Sequence, residues 1–136
     1  TVFSNILKLN RDGTIDTKFN AGTGAVGGRI NAIAKLPDGK FVVGGDFTTF
    51  DSNSSIRIAR LNSDGSFDSS FSSGTGFDNT VQIVRVDSTG RILVGGLFLN
   101  YNSNSSSRLA RLSSDGAFDS SFNSNIGTGP NNNVFA

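Results

Sequence analysis

The feature that most constrains this chain is that it repeats itself. Residues 57–71 read Arg-Ile-Ala-Arg-Leu-Asn-Ser-Asp-Gly-Ser-Phe-Asp-Ser-Ser-Phe, and residues 108–122 read Arg-Leu-Ala-Arg-Leu-Ser-Ser-Asp-Gly-Ala-Phe-Asp-Ser-Ser-Phe. Residues 6–19 hold an earlier copy, Ile-Leu-Lys-Leu-Asn-Arg-Asp-Gly-Thr-Ile-Asp-Thr-Lys-Phe. The Asp-Gly glycines Gly13, Gly65 and Gly116 stand 52 and 51 residues apart. A fixed period of this size marks a solenoid, a propeller or an array, in which one supersecondary unit recurs and buries its apolar face against its neighbours.

Further landmarks keep the same period. Residues 36–47 (Leu-Pro-Asp-Gly-Lys-Phe-Val-Val-Gly-Gly-Asp-Phe) match residues 87–98 (Asp-Ser-Thr-Gly-Arg-Ile-Leu-Val-Gly-Gly-Leu-Phe). A Gly-Thr-Gly motif recurs at residues 22–24, 74–76 and 127–129, and Ser/Asn-rich loops recur at residues 51–56 and 102–107. Each unit divides into four short segments: residues 30–36, 41–43, 58–61 and 67–71, with equivalents at 81–87, 92–94, 109–112 and 118–122. Short apolar runs between turn residues, without a helical stripe, predict strands. The expected fold is all-β, with four-stranded antiparallel blade repeats of about 51 residues, β-propeller-like. The units run from 25–76 and 77–129, flanked by a partial unit at 1–24 and the start of another at 130–136.

The third and fourth segments can be placed in register. A three-residue loop closed by a left-handed glycine is a common hairpin end. It sets Leu61 opposite Phe67 and Arg60 opposite Asp68. The same rule pairs Leu9 with Ile15 and Lys8 with Asp16, then Leu112 with Phe118 and Arg111 with Asp119. An apolar pair on one face and an opposite-charge pair on the other therefore recur three times, which is the kind of cross-strand pairing that stabilises a sheet. Phe71 and Phe122 are expected to pack between blades.

That register bears on a calcium reading. Asn10, Asp12 and Asp16, like Asn62, Asp64 and Asp68, resemble part of a calcium loop, in which oxygen ligands alternate around a glycine turn. Lys8, Arg60 or Arg111 stands where the first acidic ligand is needed, so an ion-paired hairpin is the favoured reading and no cofactor is expected. The glycine pairs 44–45 and 95–96 follow strands but open no helix, so a phosphate cradle fails on context. A bulge or close blade packing is expected there instead. Asn53 and Asn104 begin Asn-Ser-Ser acceptor patterns for glycosylation in equivalent loops. Tyr101, at the position of Phe50, could stack on a sugar, though a packing role at the loop base is favoured.

Composition removes several classes of function. The chain has 136 residues, a net charge of +1 and scattered Lys and Arg, so no basic face for nucleic acid is expected. No apolar run is long enough for a membrane-spanning helix. Cysteine and histidine are both absent, which excludes disulfides, thiolate chemistry and the commonest general base. The remaining nucleophiles are hydroxyls with no imidazole to activate them, and most Asp residues recur once per unit, so no enzymatic activity is expected. Asp46 has Leu97 as its counterpart and is the Asp to test in a hydrolase reading. Methionine is absent even at position 1, which reads as a processed, excised or fragmentary chain.

Residues 38–47 followed by residues 59–71 resemble the delta-60 repeat family. Val-Gly-Gly-x-Phe and Leu-Asn-x-Asp-Gly-x-x-Asp-x-x-Phe come in order and recur, over nearly the whole chain. Ser88-Thr89-Gly90 departs from the pattern that Pro37-Asp38-Gly39 fits. The resemblance implies a β-propeller-like fold, a place outside the cell or on a cell or virion surface, and no catalytic residue.

Lys8 aligns with Arg60, so the chain enters at the third strand of a unit, and residues 134–136 align with the start of a first strand. Two full periods cannot close a ring of about four to eight blades. The ring in a single chain is therefore expected to be incomplete. It would be completed by flanking repeats, by other copies in a ring, or by head-to-tail growth through unpaired terminal strands. The leading expectation is a structural, self-assembling module of an extracellular or virion surface fibre. The alternative is a propeller module binding a glycan or host surface.

Overall fold

A computed structural model describes residues 5–127 and 129–131 of the protein. The unit at 25–76 contains β1 (Ala25–Val26), β2 (Ile30–Lys35), β3 (Phe41–Gly45), β4 (Thr49–Phe50), β5 (Asn53–Ser54) and β6 (Ile58–Leu61). The unit at 77–129 contains β7 (Val81–Val86), β8 (Ile92–Gly96), β9 (Asn100–Tyr101), β10 (Asn104–Ser105), β11 (Leu109–Leu112) and a short helix, α1 (Ser120–Ile126). The fold is all-β apart from α1: two antiparallel blades, ordered β2-β3-β6 and β7-β8-β11, in an incomplete propeller-like ring.

The central strands β3 and β8 carry Phe-Val-Val and Ile-Leu-Val, residue types that suit a strand covered on both faces. A tight turn feeds β3: Leu36 and Lys40 pair through their main chains at 2.8 Å, with Gly39 at φ 90°. The glycine pair that ends β3 faces a register shift in β2 between Ile30 and Ala32, and the pair ending β8 faces the same shift between Val81 and Ile83. These are β-bulges.

The glycines also set how closely the blades approach. β7 packs on β2 and β3. A Cβ at Gly44 would lie 2.5 Å from Val81 Cγ1 and 2.8 Å from Val84 Cγ2 of the next blade. The larger apolar cluster spans this junction, joining Val42, Ile58 and Phe71 to Val81, Val84 and Val94. Asn31 Nδ2 adds a hydrogen bond to the Val81 carbonyl at 3.0 Å.

Two segments differ from expectation. The fourth segment of each blade is not an extended strand: it meets the third through one bridge, Leu61 with Phe67 or Leu112 with Phe118. Asp68 Oδ1 accepts from the Ser70 main chain and hydroxyl at 3.1 and 2.5 Å. Such local bonding competes with the sheet ladder. In the later unit the same Asp-Ser-Ser-Phe run enters α1, where the Asp119 side chain caps the helix by accepting from Phe122 N at 3.2 Å. Two more residues separate Phe122 from Gly127 than separate Phe71 from Gly74, and α1 takes up that length.

The Ser/Asn loops are also more ordered than loops. Each is a hairpin, β4-β5 or β9-β10. Its two turn residues have positive φ, 45° and 63° at Asp51 and Ser52, and 45° and 65° at Asn102 and Ser103. Two left-handed residues form the turn that matches strand twist, and Asp and Asn tolerate it better than most. The strand expected at 134–136 lies outside the described residues. Among the described residues no helix is long and apolar enough to cross a membrane.

Candidate functional site

The recurring polar residues meet at the junctions between units. All three hairpins have the register expected of them: Leu9 lies opposite Ile15, Leu61 opposite Phe67, and Leu112 opposite Phe118. On the other face Lys8 Nζ reaches Asp16 Oδ2 at 2.9 Å, Arg60 Nε reaches Asp68 Oδ2 at 2.8 Å, and Arg111 Nε reaches Asp119 Oδ2 at 2.8 Å.

The second and third hairpin turns then receive the unit before them. Asn20 N donates to the Asp64 carbonyl at 2.7 Å, and Ser72 N donates to the Asp115 carbonyl at 2.7 Å. A Cβ on Gly65 would sit 3.0 Å from the Phe19 ring, and one on Gly116 would sit 3.1 Å from the Phe71 ring. Phe71 is buried. Arg60 braces the same contact: its guanidinium lies over the Phe71 ring, 5.4 Å from the centroid, and its Nη1 donates to the Ser114 carbonyl of the next unit.

Asp68 is the most enclosed carboxylate of the group, with Lys40 Nζ adding a second cation at 2.7 Å. Burial raises its pKa, but hydrogen bonds from Lys40, Ser70 and Arg60 outweigh this and hold it well below the usual carboxylate range. Asp119 is more open. Its pKa is lowered to about 2 by the Ser121 hydroxyl and then by Arg111. One difference lies in the second cation. Arg91 stands where Lys40 does, but Asp87 replaces Leu36 and takes Arg91 Nε at 2.7 Å. An open cleft of about 360 Å³ lies beside Arg91, Phe118 and Asp119. Comparing residues 36–40 with 87–91 could have revealed this exchange of partners from the sequence.

The calcium candidates make other contacts. Asn10 Nδ2 donates to the Thr14 hydroxyl, and Asn62 Nδ2 to the Ser66 hydroxyl, both at 3.0 Å. Asp12 Oδ1 accepts from Thr14 and Asp64 Oδ1 from Ser66, which lowers both pKa values. Asp16 and Asp68 hold cations. Among the described residues no three acidic side chains gather as a metal set.

The Gly-Thr-Gly motif seats the hairpin tips, a role the sequence reading missed. Thr23 N donates to Asp51 Oδ1 at 3.1 Å, and Thr75 N to Asn102 Oδ1 at 3.2 Å. A Cβ at Gly22 or Gly74 would fall within 2.1 Å of those oxygens. Asn53 and Asn104 lie exposed on β5 and β10, each with Nδ2 donating to turn carbonyls. Asp46 Oδ1 accepts from Arg29 N, so this carboxylate holds the bulge.

Tyr101 is corrected as a ligand-loop residue. It is fully buried, 4.5 Å from the Phe77 ring centroid, and its hydroxyl donates to the Gly116 carbonyl at 2.6 Å. Burial, then the charge of Asp115, raises its pKa. A ring so enclosed cannot stack on a sugar. Tyr101→Phe should cost about 1–2 kcal/mol in urea unfolding, because a buried carbonyl loses its donor. Unchanged stability would show that the hydrogen bond contributes nothing.

No curated protein and no solved structure matches the chain. A repeat family matches twice, over residues 36–71 and 88–122, together more than half of the chain. Those stretches contain β3, β6 and their hairpin in one unit, and β8, β11 and their hairpin in the other. With two blades packed through a glycine-lined junction, the chain belongs to the family described as a domain of unknown function (DUF5122) beta-propeller.

Proposed function

We propose that this chain is a structural, self-assembling repeat module of an extracellular or virion surface fibre, with units of the delta-60 type. The observation that carries the reading is where the recurring residues go. Asp16, Asp68 and Asp119 hold cations, Gly65 and Gly116 lie beneath phenylalanines, and Gly22 and Gly74 seat hairpin tips. The residues that recur join one part of the repeat to another. Val-Gly-Gly-x-Phe followed by Leu-Asn-x-Asp-Gly-x-x-Asp-x-x-Phe supports the delta-60 assignment, and that resemblance supports a place outside the cell or on a virion.

The first hairpin also presents apolar surface. Leu9 and Ile15 are 55% and 44% exposed, whereas Leu61, covered by β3, is fully buried. Partners are expected to be further copies or flanking units. Sedimentation over a wide concentration range, with electron microscopy of the same material, tests the reading. Mass that rises with concentration and extended or ring-shaped particles are expected. A monodisperse monomer at high concentration would refute self-assembly.

A further inference from the structure

Asn53 and Asn104 each begin an Asn-Ser-Ser pattern, and the self-assembly reading makes no use of either. The acceptor pattern needs Ser or Thr two residues after the asparagine. What Ser and Thr share is an aliphatic hydroxyl, so the hydroxyl itself is what a transferase reads. In both units the fold takes that hydroxyl out of reach. Ser55 is 3% exposed, and its Oγ donates to the Ile58 carbonyl at 2.7 Å. Ser106 is fully buried, and its Oγ donates to the Leu109 carbonyl at 2.9 Å. The amide nitrogens are engaged as well. Asn53 Nδ2 donates to the Asp51 carbonyl at 2.8 Å and the Phe50 carbonyl at 3.4 Å. Asn104 Nδ2 donates to the Asn102 and Tyr101 carbonyls at 3.1 and 3.2 Å. The asparagines themselves remain exposed.

We propose that Asn53 and Asn104 accept an N-linked sugar while the chain is still unfolded, and that closure of the β4-β5 and β9-β10 hairpins ends their reactivity. The donor is an oligosaccharide carried on a polyprenyl pyrophosphate. The asparagine nitrogen bonds to the anomeric carbon, the bond from that carbon to the pyrophosphate oxygen breaks, and the nitrogen gives one proton to a base of the transferase. A readable hydroxyl and a free amide are both present only before the hairpin forms. The folded hairpin accommodates the product, because the substituted nitrogen keeps one N–H for the turn carbonyl and the sugar leaves from an exposed side chain. Asp51 and Asn102, not the acceptor asparagines, hold the Gly-Thr-Gly motif, so the sugars spare that contact. Such transfer accompanies export, so the inference rests on the proposed placement outside the cell.

The full chain, given a cleavable export leader and synthesised into microsomal vesicles, should gain two endoglycosidase-sensitive mass increments. Asn53→Gln and Asn104→Gln should each remove one. Transfer precedes folding, so this count does not depend on whether the variants fold. Chain folded beforehand and offered to the same vesicles opened with detergent should be modified at least about tenfold more slowly than an unfolded chain, since only a locally opened hairpin reacts. The unfolded comparator is Leu61→Asp with Leu112→Asp, which places charges at two fully buried positions, and circular dichroism verifies its state. The doubly modified chain should unfold at a urea midpoint no lower than that of the unmodified chain. An absent increment on the nascent chain, or one that persists in its Gln variant, would overturn that site. The leader supplies the route, so this result leaves the placement outside the cell standing. Equal rates for folded and unfolded chain would overturn closure by the hairpins, and a lower midpoint would show that the fold does not accommodate the sugar.

Discussion

Replacing Gly45 by alanine should lower the stability of the fold by about 3 kcal/mol, the upper end of what overpacking costs. A Cβ there would lie 1.9 Å from the Arg29 carbonyl oxygen and 3.1 Å from Ile30 Cα. Both are main-chain atoms, so no side chain can swing away, and relief requires opening the β2-β3 bulge. The comparison that isolates this cause is Gly39→Ala. Gly39 has φ 90° but open space around it, so alanine meets only the left-handed backbone penalty, about 1–2 kcal/mol. Urea midpoints for the two variants should therefore separate, with Gly45→Ala the lower. Equal midpoints would mean that crowding at the bulge is relieved without cost. Gly44→Ala offers a further check, because its clash is with valine side chains. Adding Val81→Ala should restore part of the loss, which a double-mutant cycle would measure as coupling.

Asp68→Asn should cost about 3 kcal/mol or more, because Arg60 and Lys40 would keep their charges beside a neutral amide in a largely buried site. The side chains of Arg60 and Asp68 are 8% and 7% exposed. Asp119→Asn, in the more open copy, should cost clearly less. The acid response follows from the direction of the pKa shift. Asp68 is held well below the carboxylate range in the folded protein, while the unfolded chain has about 3.9. The unfolded state therefore binds the proton first. The stabilisation is fully present above about pH 4 and is lost as the pH falls through the folded value. Wild-type stability should fall with acidity below that point, and Asp68→Asn should show a shallower acid limb. Equal slopes in both proteins would rule out Asp68 as the source.

Much of the junction was legible along the chain, for a local reason. A hairpin with a three-residue loop fixes its own register, so Arg60 with Asp68 and Leu61 with Phe67 follow from counting. The glycine pairs were legible as bulges or close packing because a residue without a side chain after a buried strand has few other uses. The fourth strand was misread because Phe-Asp-Ser-Ser-Phe has the alternation of a strand, but its Asp side chain accepts from the main-chain N–H and the hydroxyl of Ser70. The packing role favoured for Tyr101 was legible from its equivalence to Phe50, and in the pleat the ring points inward against Phe77, which excludes the sugar-stacking alternative.

The period, the strand-forming runs and the hairpin register were determined by the sequence alone, since each rests on contacts between residues close in the chain. What lies across the junction was decided by the tertiary structure. Asp68-Ser-Ser-Phe71 and Asp119-Ser-Ser-Phe122 are identical, yet one is a turn docked on Gly116 and the other enters α1. The physical difference is that a neighbouring turn supplies an acceptor for Ser72 N at 2.7 Å, while Asn123 N turns back on its own segment and two extra residues coil with it.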